Sequence, residues 1–405
     1  MTGDERGAAR TATIALVVTL AIQLYTSLAA TATAVLAPVI GPDLGVAPKL
    51  VGVFVGLVYA GSMVASLASG GFIERFGAIR VSQVCVLLCA VGVAIVPAVA
   101  SAPAGYVALV AAAPLVLGLG YGAITPASSH VLARTAPPGR MALTFSIKQT
   151  GVPAGAALAG AVLPGMALGI GWRGAFVAIV VAGIVIAVIS QPTRAALDTD
   201  LHAARPLSLA AMFRPLKLLL GAPALVELSL VGFVYAATQV CLMSFLVVYL
   251  TETLGFSLVG AGLALTVANL GGIVGRVTWG GVADHYVRPR TLLGLLGLVA
   301  GGCAFATAGF GPAWPASAQM AVCALFGATA IGWNGVQLAE VARHAPAGKA
   351  GAITGASGFV TFSGVVIGPS TFALLSALTG SYRVGFAAFG TASLLCGLAL
   401  LARSR

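Results

Sequence analysis

Apolar stretches recur along the whole chain, separated by short breaks of glycine, proline or charged residues. A helix of about 20 apolar residues is long enough to cross a lipid bilayer. On that criterion twelve spans are predicted, near 11–37, 50–69, 80–101, 106–131, 142–168, 174–191, 218–248, 258–280, 291–311, 316–340, 350–375 and 384–402. The ninth and tenth are divided by AGFGPAWPAS, where Pro312 and Pro315 supply a turn. The longest polar interruption, QPTRAALDTDLHAARPLS from Gln191, falls near the middle. Its basic, alanine-rich composition predicts a partly helical linker along the cytoplasmic surface. The expected organisation is an N-terminal six-helix bundle at 1–191, a linker at 192–217 and a C-terminal six-helix bundle at 218–405.

The two halves repeat each other at a fixed offset. GGFIER from Gly70 matches GGVADH from Gly280, 210 residues on. ARTAPPGRMA from Ala133 matches ARHAPAGKAG from Ala342, 209 residues on, and Trp172-Arg173 matches Tyr382-Arg383, 210 residues on. Three correspondences in the same order, each at an equivalent helix junction, predict two parallel six-helix repeats.

Composition narrows the picture. The 405 residues are 59% hydrophobic and 8% charged, with a mean hydropathy of +1.05, more apolar surface than a soluble core needs. Twelve spans leave only short loops and the linker, so no sizeable extramembrane enzyme domain fits. The net charge of +11 points towards nucleic acid until its distribution is considered. Sixteen of the 21 lysines and arginines fall in segments on one side of an alternating topology, from Arg6 and Arg10 to Arg403 and Arg405. Lys49, Arg173 and Arg383 fall on the other side, and Lys148 and Arg276 fall within spans. This is the positive-inside pattern: both termini are expected in the cytoplasm, and no nucleic-acid partner is implied. The six cysteines sit in apolar stretches without framework spacing and read as buried hydrophobes, with no metal site or other cofactor expected. The apolar run after MTGDERGAAR is too long for a signal sequence and is expected to stay as the first span. Glycine pairs such as Gly118/Gly122, Gly151/Gly155, Gly271/Gly275 and Gly364/Gly368 predict helices in backbone contact.

The segment Gly70-Gly71-Phe72-Ile73-Glu74-Arg75-Phe76-Gly77-Ala78-Ile79-Arg80 resembles the loop between helices two and three of the major facilitator superfamily, and Gly280-Gly281-Val282-Ala283-Asp284-His285 resembles its second copy between helices eight and nine. Glu74 stands where the family more often has Asp, and Ala78 and Ile79 replace its basic residues. The resemblance covers nearly the whole chain. It implies an all-α integral membrane fold of twelve helices in two pseudo-symmetric bundles, alternating access, and a substrate site between the halves lined by helices one, four, seven and ten. Sequence marks of proton-linked drug antiporters are missing or displaced: no arginine precedes Gly118 in helix four, and a partial glycine-proline pattern, Gly364 to Pro369, lies in helix eleven instead of five.

That arrangement makes Gln23, Tyr25, Tyr121, Thr125, Tyr235, Gln239 and Asn334 the expected substrate contacts, with Trp333 and Gln337 beside them. Lys148 joins them on physical grounds: an ionisable group about 10 Å into its helix, at about 1.5 Å per residue, is costly unless paired, hydrated or functional. Glu227 is embedded in helix seven, leaving two readings open, a proton-carrying carboxylate or an ion pair. Glu74, Arg75, Arg80 and Asp284 are expected to gate the cytoplasmic ends, each carboxylate facing the positive end of a neighbouring helix. Gly275-Arg276-Val277-Thr278-Trp279-Gly280 resembles a segment of carboxylate-transporting branches and of other members of the superfamily; Arg276, one turn from the loop, is expected to snorkel to the interface as a gate or a lipid-facing residue and not to bind substrate directly. His130 is expected to be a satisfied helix-end histidine, and Arg173 and Arg383 to be structural anchors.

The expected function is secondary transport of a small organic anion, with carboxylates the favoured class and a proton as coupling ion; efflux of a hydrophobic drug or metabolite is the alternative. An enzyme is not expected, since the consecutive Ser128, Ser129 and His130 do not share a helix face and no hydrolase, metal or nucleotide motif is present. The expected partners are a small-molecule substrate, a coupling proton and membrane lipids. The expected form is a monomer in a multi-pass setting, a bacterial inner membrane.

Overall fold

The structure is a computed structural model that describes residues 3–44, 51–99, 106–201, 209–256, 258–311 and 313–402. Lys49, Arg205, Pro312, Arg403 and Arg405 lie outside the described residues. The described elements are helical: α1 (Gly3–Val35), α2 (Ala37–Leu44), α3 (Val51–Phe76), α4 (Ala78–Val99), α5 (Tyr106–Gly122), α6 (Ile124–Thr135), α7 (Met141–Gln149), α8 (Gly151–Ile189), α9 (Arg194–Leu197), α10 (Leu209–Leu220), α11 (Pro223–Glu252), α12 (Leu258–His285), α13 (Pro289–Ala308), α14 (Ala316–Ala330), α15 (Asn334–His344), α16 (Ala350–Thr379) and α17 (Tyr382–Ala402). Among the described residues eleven helical stretches are long and apolar enough to cross a membrane. One of them, Met141–Leu197, runs for 57 residues, enough for two spans. Gly171, at φ 74, takes the chain out of helical geometry inside it, in the gap predicted between the fifth and sixth spans. The all-α integral membrane architecture is therefore that expected.

Three spans are interrupted where hydropathy runs on. Pro126 has no N–H for the Gly122 carbonyl, and the chain breaks between α5 and α6 at Ala123. Pro153 likewise leaves the Gln149 carbonyl without its helical donor, and α7 gives way to α8 at Thr150. The third break, Ile331 to Trp333 between α14 and α15, contains no proline. Its Gly332 is the 210-residue repeat of Gly122.

The chain forms two compact units. Unit 1 comprises Met1–Pro137, Lys148–Pro223 and Ala342–Phe359. Within it α1 meets α8 closely enough that a Cβ on Gly155 would strike the Leu24 carbonyl, and Ser27 Oγ donates to the Val152 carbonyl at 2.6 Å. The segment from Ala342 lies against α3 and α6: a Cβ on Gly70 would meet Ala352, and one on Gly351 would meet His130. Unit 2 comprises Pro138–Ile147, Ala224–Val341 and Val360–Arg405. Here Gly271 and Gly275 of α12 lie on the backbone of α14, and Phe372 stacks on Phe245 at 4.2 Å and meets Phe386 edge-on at 5.1 Å. Each unit thus takes in one of the paired segments that begin within the repeated ARTAPPGRMA and ARHAPAGKAG stretches.

Candidate functional site

In unit 1 a polar cluster is built around the break at Thr150. Gly151 opens α8 without a side chain, and the Gln23 stem fills that space; a Cβ there would lie 3.1 Å from Gln23 Cβ and Cγ. Gln23 Oε1 therefore reaches Lys148, whose Nζ donates to it at 2.7 Å and to Gln149 Oε1 at 3.0 Å. Thr125 Oγ1, just past the α5–α6 break, approaches the same Gln23 oxygen at 3.5 Å. Lys148 is 2% exposed and Gln23 1%. A buried ammonium facing neutral amide oxygens is a favourable place for an anion, because a full negative charge binds it more strongly than an amide dipole.

In unit 2 the break at Ile331–Trp333 organises a second polar group. Arg276 is buried, and its Nε donates to the freed Ile331 carbonyl at 3.1 Å. It does not snorkel to the interface as expected, because the break offers an acceptor inside the unit. Trp279 Nε1 donates to the Ala328 carbonyl at 2.6 Å. Trp333 donates to Gln239 Oε1 at 3.2 Å and stands edge-on to the Tyr235 ring. The Tyr235 hydroxyl bonds the Leu293 carbonyl and Gln337 bonds the Leu228 carbonyl. Glu227 lies in the first turns of α11 and pairs with Arg290 in the first turn of α13. Glu227 is thus held in an ion pair, from which a proton on its carboxylate would release Arg290.

Acidic side chains also sit at helix starts that lack caps of their own. Asp284 accepts from the N–H groups of Ala142 and Leu143 at 2.9 and 2.7 Å, capping α7 within unit 2. Its repeat counterpart Glu74 is buried in unit 1 and accepts from Lys349 Nζ at 2.8 Å, next to the start of α16. Asp198, from the beginning of the linker, caps α4 through the N–H groups of Ile79 and Arg80 at 2.8 and 3.1 Å. The turn before α4 is made by Gly77 at φ 93, where a Cβ would collide with Asp198. Asp200 receives the His130 ring at 2.7 Å and Arg134 at 2.6 Å. Burial works to raise the Asp200 carboxyl, but His130 and Arg134 outweigh it and hold the group below the ordinary carboxylate range. On the far side of unit 1, Asp43 accepts from the Trp172 indole at 2.9 Å and Arg173 at 2.7 Å. The indole hydrogen bond, with help from Arg173, lowers its pKa against the effect of burial. Arg383 holds the Ala308 and Phe310 carbonyls in unit 2. Both arginines thus anchor helix ends.

Of the expected substrate contacts, Gln23, Thr125 and Lys148 come together in unit 1. Tyr121 lies half-buried on the other side of the Ala123 break, and Tyr25 is buried towards Gly183 of α8. Tyr235 and Gln239 meet through Trp333 in unit 2, with Asn334 half-buried at the start of α15. Among the expected gating residues Asp284 caps the start of α7, and Glu74 holds the Lys349 side chain next to the start of α16. Arg75 lies over the Phe76 ring at 5.4 Å, and Arg80 contributes its backbone N–H to Asp198 while its side chain is exposed. Gln149, Asp198 and Asp200 were not singled out by the sequence. A usable signal existed for Asp198: α4 begins at Ala78 directly behind Gly77, with no polar side chain at the capping position, which leaves its first N–H groups to a remote acceptor.

The sequence model of the Major Facilitator Superfamily matches residues 19–369. No curated protein matches the chain. Among solved structures the fold is similar to a variant of the E. coli fucose:proton symporter FucP, at a TM-score of 0.79 and 15% identity over 98% of this chain and 100% of that one. A bacterial homologue of the iron transporter ferroportin in the outward-facing state gives 0.75 and 17%, over 98% and 100%. The human organic anion transporter MFSD10 (TETRAN) gives 0.72 and 18%, over 97% and 99%.

Proposed function

The chain belongs to the Major Facilitator Superfamily and is a transporter, not an enzyme; from that premise we propose that it moves a small organic anion, a carboxylate in particular, by alternating access coupled to a proton. The observation that carries the substrate class is Lys148, buried beside the Gln23 and Gln149 amide oxygens. Its ammonium offers a bound anion a charge-assisted contact inside an apolar helix bundle. The half-buried Thr125, which approaches the same Gln23 oxygen, suits a compact molecule with one polar end. The organic anion transporter and the fucose:proton symporter of the same fold supply precedents for the two halves of the reading, the first for an anionic cargo and the second for proton coupling. Glu74 and Asp284 are assigned to gating, because each holds the start of a segment that its unit draws from the other sequence repeat. Arg276 is assigned to stabilising the α14–α15 break.

Purified protein screened by thermal shift against a panel of small monocarboxylates and their neutral amides tests the substrate class. Carboxylates are expected to stabilise the protein, and Lys148→Gln to weaken them by about tenfold or more while changing amide binding little. Equal losses for both members of a pair would make Lys148 structural. Export of neutral or cationic compounds that survives Lys148→Gln would replace anion transport by drug or metabolite efflux.

A further inference from the structure

Two donors from different elements converge on one oxygen atom in unit 1. Lys148 Nζ, at the end of α7, and Thr125 Oγ1, at the start of α6, both approach Gln23 Oε1, at 2.7 and 3.5 Å. Gln149 differs in kind: it is Lys148's chain neighbour and travels with it, whereas Gln23 belongs to α1 and reaches across a close contact with Gly151 of α8. A point that receives an ammonium and a hydroxyl has the donor set for a carboxylate oxygen. Here it is filled by the protein's own neutral oxygen.

We propose that the Gln23 amide oxygen is a built-in surrogate for a substrate carboxylate oxygen, occupying the Lys148 and Thr125 donors in the empty protein and giving them up when substrate binds. The proposal rests on the anion reading of Lys148 and adds the residue that sets its selectivity. A buried ammonium with no acceptor carries a heavy desolvation cost. An amide oxygen removes much of that cost yet binds an ammonium more weakly than a carboxylate does. Gln23 thereby makes the empty site stable enough to persist while leaving it displaceable by a charged ligand. A neutral ligand, offering an oxygen no better than the one in place, gains nothing by the exchange.

The two signs of substitution at this position are predicted to act oppositely. Gln23→Glu puts a permanent carboxylate against Lys148. The empty protein should melt no lower than the wild type, and monocarboxylate affinity should fall about 30-fold or more, as for a site whose charge is already paired. Gln23→Met keeps the length of the stem and removes the acceptor. The empty protein should melt lower, and carboxylate affinity should rise about three- to tenfold, the worth of one competing hydrogen bond. The measurement is isothermal titration of detergent-purified wild type and both variants with the tightest carboxylate found and its amide, after gel filtration and melting curves establish folding.

Weaker carboxylate binding in Gln23→Met would make Gln23 an ordinary substrate contact and overturn the proposal, as would affinity within about threefold of wild type in Gln23→Glu. Should Gln23→Met fail to fold, Gln23→Asn, which keeps the amide but shortens its reach, replaces it with the same expected direction. If no carboxylate binds wild type, or Lys148→Gln leaves carboxylate binding unchanged, the anion reading itself fails. If Lys148 matters and the two Gln23 substitutions do not act oppositely, only the surrogate fails.

Discussion

At the scale of single residues, the linker's acids carry a prediction that the apolar pattern could not supply. Asp200 joins His130 and Arg134, and its carboxyl titrates below its ordinary value. A group whose folded pKa is depressed contributes stability above its unfolded pKa and loses it as pH falls through the folded pKa. The melting temperature should therefore lose the Asp200 contribution only below about pH 4, the ordinary range of an aspartate. Asp200→Asn should lower the melting temperature at pH 7 and flatten that part of the acid limb, a comparison read directly from melting curves across pH. The carboxylate is partly exposed, so the effect is modest. Glu227 carries a second prediction. A proton on its carboxylate cancels the charge that holds Arg290, so proton uptake there would free α13 from α11. In proteoliposomes, Glu227→Gln is expected to abolish accumulation driven by a pH gradient while substrate counterflow persists; retained accumulation would remove Glu227 from the coupling path. Lys148, Glu227 and Arg276 were legible as candidates because charges within apolar stretches stand out. The pairings were not: Gln23, Arg290 and the Ile331 carbonyl lie 125, 63 and 55 residues away, and hydropathy says nothing about which distant group a charge will meet.

At the scale of elements, the spans were legible almost throughout because a bilayer demands long apolar helices with internally satisfied backbones. Their interruptions were hidden by that same uniformity: Tyr121 to Thr125 and Gln149 to Gly151 read as continuous helix although Pro126 and Pro153 mark the breaks. Helix starts were less legible still, since α4 and α7 take their caps from Asp198 and Asp284 rather than from a neighbour in sequence. A carboxylate bridging the N–H groups at the second and third helical positions is worth about 0.5–2 kcal/mol. Asp198→Asn keeps the shape and loses the charge, so hydrogen exchange at Ile79 and Arg80 should speed up while the middle of α4 is unchanged. Equal exchange in the two proteins would show that the linker lies against α4 without holding it.

For the whole molecule, the paired sequence repeats end up in mixed company: Pro138–Ile147 belongs to unit 2 and Ala342–Phe359 to unit 1. Each segment is secured in the same manner, by the acid of a Gly-Gly motif and by glycines that let it approach. Asp284 caps α7, whose Ser146 is fully buried against Gly280 and Gly335; Glu74 holds Lys349 beside α16, whose Gly351 and Ala352 lie on His130 and Gly70. Alternating access, as proposed, requires both segments to leave together, because a transporter that released only one would open no complete path. Ser146→Cys provides a reporter of that release. The described cysteines are buried apart from the half-buried Cys396, so the variant is made on a Cys396→Ala background and treated with a maleimide in membranes. Labelling should be slow, and Asp284→Ala should speed it roughly two- to thirtyfold, the factor set by loss of a cap of about 0.5–2 kcal/mol. The decisive comparison is Glu74→Gln, which alters the other unit and leaves the Asp284 cap intact. If the two segments release in one concerted step, Glu74→Gln also accelerates labelling at position 146. If they open independently, it leaves that rate unchanged, and the acids of the two motifs are local fasteners rather than parts of one gate.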